Sequence, residues 1–327
     1  MKRPGFSLVE LLIALLLGSA VSIIVFQTTR TIVLSTARVS NNALAWERGQ
    51  SVLSILEPRV LHAGFGVPCE PAGNILQRSF GGGTGRMNVP PPAEWSNRGP
   101  LQIWRGFPSD ESSSGLWDLA PETSGVFRGK GLAVLYAVPS GASAKIYENR
   151  PLLMEANVPV TVKLVSRESL QTVGDRLQTT KEEDLRSWVT FPLMGFPVYV
   201  SSYQAGELKI RLAEGSGLSA ELRPYDEMHY LRGERFLVKN DSLYSEELHT
   251  SWVGSEPRVE GVLEMWFQWM PSASKLEAWI LTTGGEAVFG KSSRPREWPA
   301  EAPWSPEFEL HDVTVVRGSW ILKNLGS

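Results

Sequence analysis

The side chains best suited to chemistry are scattered along this chain. Histidines stand at 62, 229, 249 and 311, with no His-x-x-x-His pair, no Gly-x-Ser-x-Gly elbow and no cysteine–histidine spacing that builds a nucleophile or a metal centre. Glu182-Glu183-Asp184 and Glu246-Glu247 set acids side by side; neighbours on a strand face opposite ways, and in a turn they are solvated. Gly81 to Arg86 has the glycines of a phosphate loop without its Gly-Lys-Ser/Thr ending, and reads as a flexible turn. Asp110, Glu111 and Ser112 to Ser114 match no calcium loop. Cys69 is the single cysteine, so no intrachain disulfide forms; it reads as a small buried apolar residue or an unpaired thiol. No catalytic residue, metal or cofactor is assigned, and the chain reads as non-enzymatic.

One ionisable group stands apart. Glu10 is the only charge in Phe6 to Phe26, FSLVELLIALLLGSAVSIIVF. As a helix that segment spans roughly 31 Å, close to the hydrocarbon thickness of a bilayer. An acid inside hydrocarbon costs a few kcal/mol unless it is protonated or paired. A cleaved secretory signal would need a shorter apolar core and a small-x-small site, yet the run continues past Gly18-Ser19-Ala20 through Val21, Ile23 and Ile24. A plain anchor held in the cytoplasm by Lys2 and Arg3 fits length and charge but leaves Glu10 unexplained.

Gly5-Phe6-Ser7-Leu8-Val9-Glu10, followed by Leu11-Leu12-Ile13-Ala14-Leu15, resembles the class III signal of type IV pilins and type II secretion pseudopilins. The resemblance implies a leader, Met1 to Gly5, removed by a prepilin peptidase, and an N-methylated Phe6 as the new first residue. It also assigns Glu10 the role of guiding each subunit into register during assembly. The chemistry is coherent. Glycine before the cut admits an extended backbone to a peptidase site, and an acid one helical turn from the new amine, or on a neighbouring subunit, neutralises that charge in an apolar filament core.

The elements that must position this segment follow. Ile32, Val33, Ala37, Leu44, Val52, Ile55 and Leu56 recur at helical spacing among polar residues, so the helix should continue as an amphipathic spine over 6–62. Pro58 places its end or a kink at about residues 57 to 62. Residues 63–130, with Gly81 to Gly83, Pro90 to Pro92 and Ser112 to Ser114, read as a loop-rich linker. From Gly131 to the end, periodicity of two dominates. Strands are expected at 132–138, 158–165, 188–193, 198–202, 208–212, 228–231, 235–239, 243–245, 262–270, 276–282 and 313–322. Along one of them, Leu263, Met265, Phe267 and Trp269 should share a face, opposite Val262, Glu264, Trp266 and Gln268. The expected class is α+β: a pilin-like long N-terminal helix packed on an antiparallel β-sheet domain.

Arg59 to Gly66, and the strand-rich run from Arg235 to Thr282, resemble PilW-type minor pilins and the J-type minor pseudopilin. With 327 residues and a net charge of −3, the chain leaves a bulky outer part, more suited to a low-copy tip subunit than to a major one. The resemblance implies partners: the prepilin peptidase, other minor subunits, the major subunit and inner-membrane lipid. It implies a single pass through the inner membrane, a periplasmic domain and a place at a filament tip. Residues 1 to 62 carry six basic and three acidic side chains, so the remainder is net −6 and offers nucleic acid no attraction. The rival from another class is an uncleaved, membrane-anchored periplasmic ligand-binding protein with a β domain.

Overall fold

A computed structural model describes residues 8–65, 101–104, 127–146, 150–155, 158–166, 170–177, 185–194, 197–204, 206–212, 219–248 and 252–324. Cys69, His249, the Gly81 to Arg86 run and the acids at 110–111 and 182–184 lie outside them. A single helix, α1 (Leu8–His62), runs for 55 residues, about 82 Å. Pro58 lies inside its last turns, where the missing amide leaves only the Ser54 carbonyl without a helical donor. The helix closes four residues later, at His62, with Gly64 at φ 77° in the left-handed conformation that commonly ends helices.

The buried stripe of α1 is Ala45, Gly49, Val52, Leu56 and Val60. Packing thus begins later than the apolar periodicity indicates: Ile32 and Val33 are each 60% exposed, and Leu44 faces outward. The stripe rests on a four-stranded antiparallel sheet, β15-β14-β13-β2, made of β2 (Phe127–Gly129), β13 (Val262–Met270), β14 (Lys275–Glu286) and β15 (His311–Ile321). β15 runs alongside the helix in the same sense. Asp312 lies beside Asn41, Val316 beside Gly49 and Gly318 beside Leu53, and Asn324 donates to the Leu61 carbonyl at 3.1 Å.

A second sheet is built on two long strands, β3 (Gly131–Lys145) and β10 (Glu227–Lys239). Near the helix they pair with each other, β3 also with β1 (Leu101–Trp104) and β10 also with β11 (Ser242–Leu248), which in turn pairs with β12 (Trp252–Glu260). β1 and β2 both fall within the stretch read as a linker. The chain just after α1 fills the edge of β3 beyond β1: Gly64 donates to the Leu135 carbonyl and Ala137 donates to that of Phe65.

The far halves of β3 and β10 join β5 (Val160–Ser166), β8 (Glu207–Arg211), β7 (Pro197–Gln204) and β6 (Trp188–Thr190) in the closed order β3-β5-β8-β7-β6-β10-β3. This six-stranded antiparallel barrel has its own core, with Val162, Leu164, Phe191, Val198, Val200, Leu208, Ile210, Met228 and Tyr230 buried together. A two-stranded ribbon, β4 (Leu152–Glu155) with β9 (Ser219–Leu222), and a short helix, α2 (Leu170–Arg176), contribute Met154, Val173, Ala220 and Leu222 to it. The barrel lies past the end of the spine. Glu234 on β10 faces Arg59, His229 meets the Phe65 ring at 5.3 Å, and the strand continues beyond to Glu227.

Three details depart from the alternation read in the sequence. The runs at 228–231 and 235–239 form one strand, β10, because Arg232-Gly233-Glu234 stay paired to β3 instead of turning. A bulge leaves Leu263 unpaired between Val262 and Glu264, which flips the phase. Val262, Met265 and Phe267 therefore join the helix core, whereas Leu263 and Trp266 face outward with Trp279. That outer face is buried too, under Trp298, Ala302, Trp304 and Phe308 from the segment following β14.

Candidate membrane and assembly segment

The front of α1 is not covered by the domain. Every residue from Leu8 to Val33 is exposed, including the large apolar side chains from Leu8 to Phe26, and this is the one helix among the described residues long and apolar enough to cross a membrane. Four of its hydroxyls are satisfied internally, as a hydrocarbon setting requires. Ser19 donates to Leu16 O, Ser22 to Gly18 O and Thr28 to Ile24 O, all at 2.8 Å, and Thr31 to Gln27 O at 2.9 Å. Glu10 sits in the first described turn of the helix. Gly5 and Phe6 lie outside the described residues.

The rear of α1 is seated by small residues and polar pins that the periodicity does not reveal. Gly49 packs so closely on β15 that a Cβ there would lie 2.8 Å from Val316 Cβ and nearer still to its Cγ2. At Gly284 a Cβ would lie 2.7 Å from Asn41 Cα. Arg48 Nη1 donates to Thr283 O at 2.5 Å, Thr282 Oγ1 to Ala45 O at 2.7 Å, and Asn41 Nδ2 to Asp312 Oδ2 at 3.2 Å. Near the helix end, Arg59 Nε donates to Glu234 Oε2 at 3.2 Å, and Tyr136 Oη donates to the same oxygen at 3.2 Å. Burial, reinforced by the Glu234 charge, pushes the Tyr136 phenol above its ordinary range. These contacts fix the angle at which the domain meets the spine.

The front end also matches a known sequence family: the prokaryotic N-terminal methylation motif, over residues 1–26. The chain carries a class III signal of the pilin and pseudopilin type. Such a signal marks structural rather than catalytic proteins, and with the apolar helix behind it the segment fits membrane anchoring. No curated protein and no solved structure was found to match the chain.

The other candidate residues are not brought together. His62 is at the helix end, with Nδ1 2.6 Å from Pro58 O; His229 is buried on β10, and His311 opens β15. Burial holds His229 below the ordinary histidine range, against a smaller opposing pull from Glu227. Among the described residues no three His, Cys, Asp or Glu side chains are grouped as a metal site. Glu246 and Glu247 lie on β11 and face opposite ways, as neighbours on a strand should: Glu247 is exposed, whereas Glu246 is 4% exposed, with Arg235 Nε donating to it at 2.5 Å and Lys239 3.6 Å away. The missed signal was cross-strand, since Arg235 pairs directly with Glu246.

Proposed function

We propose that this chain is a minor subunit that starts or caps assembly of a type IV pilus or type II secretion pseudopilus. The prepilin peptidase cuts between Gly5 and Phe6, Phe6 is N-methylated, and Glu10 neutralises the new amine as the subunit enters the filament. The domain resides in the periplasm, and the partners are other minor subunits and the major one.

The observation that carries this reading is the barrel beyond the end of α1. In a filament of parallel spine helices, subunits stack along the helix direction. Mass past the end of the spine lies in the path of the subunit ahead, and a subunit with none ahead of it is free to carry that mass. The test has two parts. N-terminal sequencing of membrane-extracted protein should give methyl-Phe6, and a retained Met1 would refute processing. Quantitative mass spectrometry of sheared filaments should find the chain at a small fraction of the major subunit; finding it the most abundant subunit would refute the tip position.

A further inference from the structure

β14 descends the spine toward the membrane-spanning end, from the level of Leu53 to that of Asn41, where Glu286 O accepts from Asn41. The turn that follows is therefore at the membrane-facing base of the domain. It reads Val288-Phe289-Gly290-Lys291-Ser292-Ser293-Arg294-Pro295-Arg296, with three cations and no acid, and it reverses at Gly290, φ 84°. Phe289 is 50% exposed, and the Arg38 guanidinium stands 5.6 Å from its ring centroid. Between this turn and α1 lies a groove of about 620 Å³, lined by Arg38, Trp46, Phe289, Lys291 and Asp312 among others.

We infer that this turn and Arg38 form a docking surface for anionic phospholipid head groups of the leaflet from which the spine emerges. The inference rests on reading Leu8 to Phe26 as a bilayer span. At about 1.5 Å per residue, Arg38 is about 18 Å up the helix from Phe26. Helical side chains lean toward the N-terminus, here toward the bilayer, by about one turn of about 5 Å. Head groups occupy about 6 Å of the remaining height, which leaves the guanidinium within a screening length of about 8 Å of them. The tilt of about 20° usual for such helices closes the distance further.

Of the nearby acids, exposed Glu286 and Glu297 flank the turn at its two ends, and Asp312 and Glu309 offset it only in part. Asp312 is 4% exposed and already accepts from Asn41 and from the Val288 amide at 3.3 Å, so its 4.0 Å approach to Arg38 is long. Glu309 pairs with Lys291 at 3.2 Å, but Lys291 is 71% exposed and such pairs are weak. Arg294 donates to the Ala302 carbonyl and holds the turn's shape, while Arg296 points into solvent. An exposed aromatic beside cations is the composition of a membrane-interface contact.

The test uses the full-length chain in lipid nanodiscs, with hydrogen exchange read over residues 287–297. Exchange should be slower in discs containing phosphatidylglycerol than in phosphatidylcholine alone, and the difference should shrink at high salt. Each cation near an anionic surface is worth about fivefold in association, so Lys291→Ser/Arg296→Ser should lose about 25-fold of that protection. Equal exchange in both lipids, or an unchanged double variant, overturns the inference. Protection on neutral discs by inorganic phosphate alone overturns the assignment to a lipid surface. Flotation with vesicles is scored separately: a chain that fails to float refutes the span, whereas one that floats without lipid-dependent exchange refutes only the docking surface.

Discussion

Gly49→Ala asks whether the close seat of α1 on β15 is real. The new Cβ would meet Val316 Cβ at 2.8 Å, against about 3.5–4.0 Å for an unstrained carbon contact. Helix or strand must shift by roughly 1 Å, and overpacking of this kind costs about 1–3 kcal/mol. Alanine gains about 1 kcal/mol over glycine in a helix interior. The strain should win, because Val316 is 4% exposed and its β-branch leaves few rotamers to retreat into. The expected net loss is about 1 kcal/mol, by urea unfolding of the detergent-solubilised chain followed through tryptophan fluorescence. In a Val316→Ala background the methyls are gone but the Cβ contact at 2.8 Å remains, so the same Gly49→Ala change should be nearly neutral, the remaining strain offsetting the helix gain of about 1 kcal/mol. The cycle thus predicts a coupling of about 1 kcal/mol. A Gly49→Ala protein as stable as the parent, or a cycle without coupling, would refute the described seating.

Glu10→Ala should leave leader cleavage intact and weaken incorporation into filaments, scored by immunoblot of sheared fractions; normal incorporation removes its proposed role. Asp226 is held above the ordinary carboxylate range by burial, against amide donors from Leu193, Met194 and Glu227. Folding therefore favours its protonated form, a contribution present below the unfolded pKa of about 3.9 and lost as pH rises through the folded value. Asp226→Asn should gain stability relative to the parent from about pH 4 upward, and a pH-independent difference in urea midpoints would contradict this. Phe191, fully buried in the barrel core, should cost about 3–5 kcal/mol as alanine. Hydrogen exchange should quicken in β5 to β8 while the amides of β14 and β15 stay protected; uniform loss would mean the two cores unfold as one.

What the sequence discloses follows the range of the interactions involved. The span, the helix end near Pro58 and strand β13 over Val262–Met270 are written in local periodicity and chain chemistry. The docking face of α1 is not, since Ile32 and Val33 share the helical rhythm of Val52 and Leu56 but no sheet reaches them. Nor is the barrel, whose closure depends on pairings such as Tyr230 with Val138 on one side and Val189 on the other. Leu263 shows the limit at one residue: a single bulge turns an apolar side chain from one core to another without changing the composition of the strand. Within the candidate segment, Glu10 is conspicuous as a lone charge. Asn41, Arg48 and Gly49 look ordinary until the strands they meet are known.

The strands β3 and β10 belong to both the spine-bound sheet and the barrel, and their ladder runs from Phe236–Leu132 to Glu227–Ser143 with one bulge, at Ser140-Gly141 opposite the Met228–His229 step. The barrel is thus joined to the spine by two paired strands that continue through the bulge. A pull on the barrel along the strands loads many hydrogen bonds at once in shear, whereas a flexible tether would open them one by one. Tension applied to the barrel therefore reaches Arg59 and the end of α1 directly, and the two parts respond to load as one.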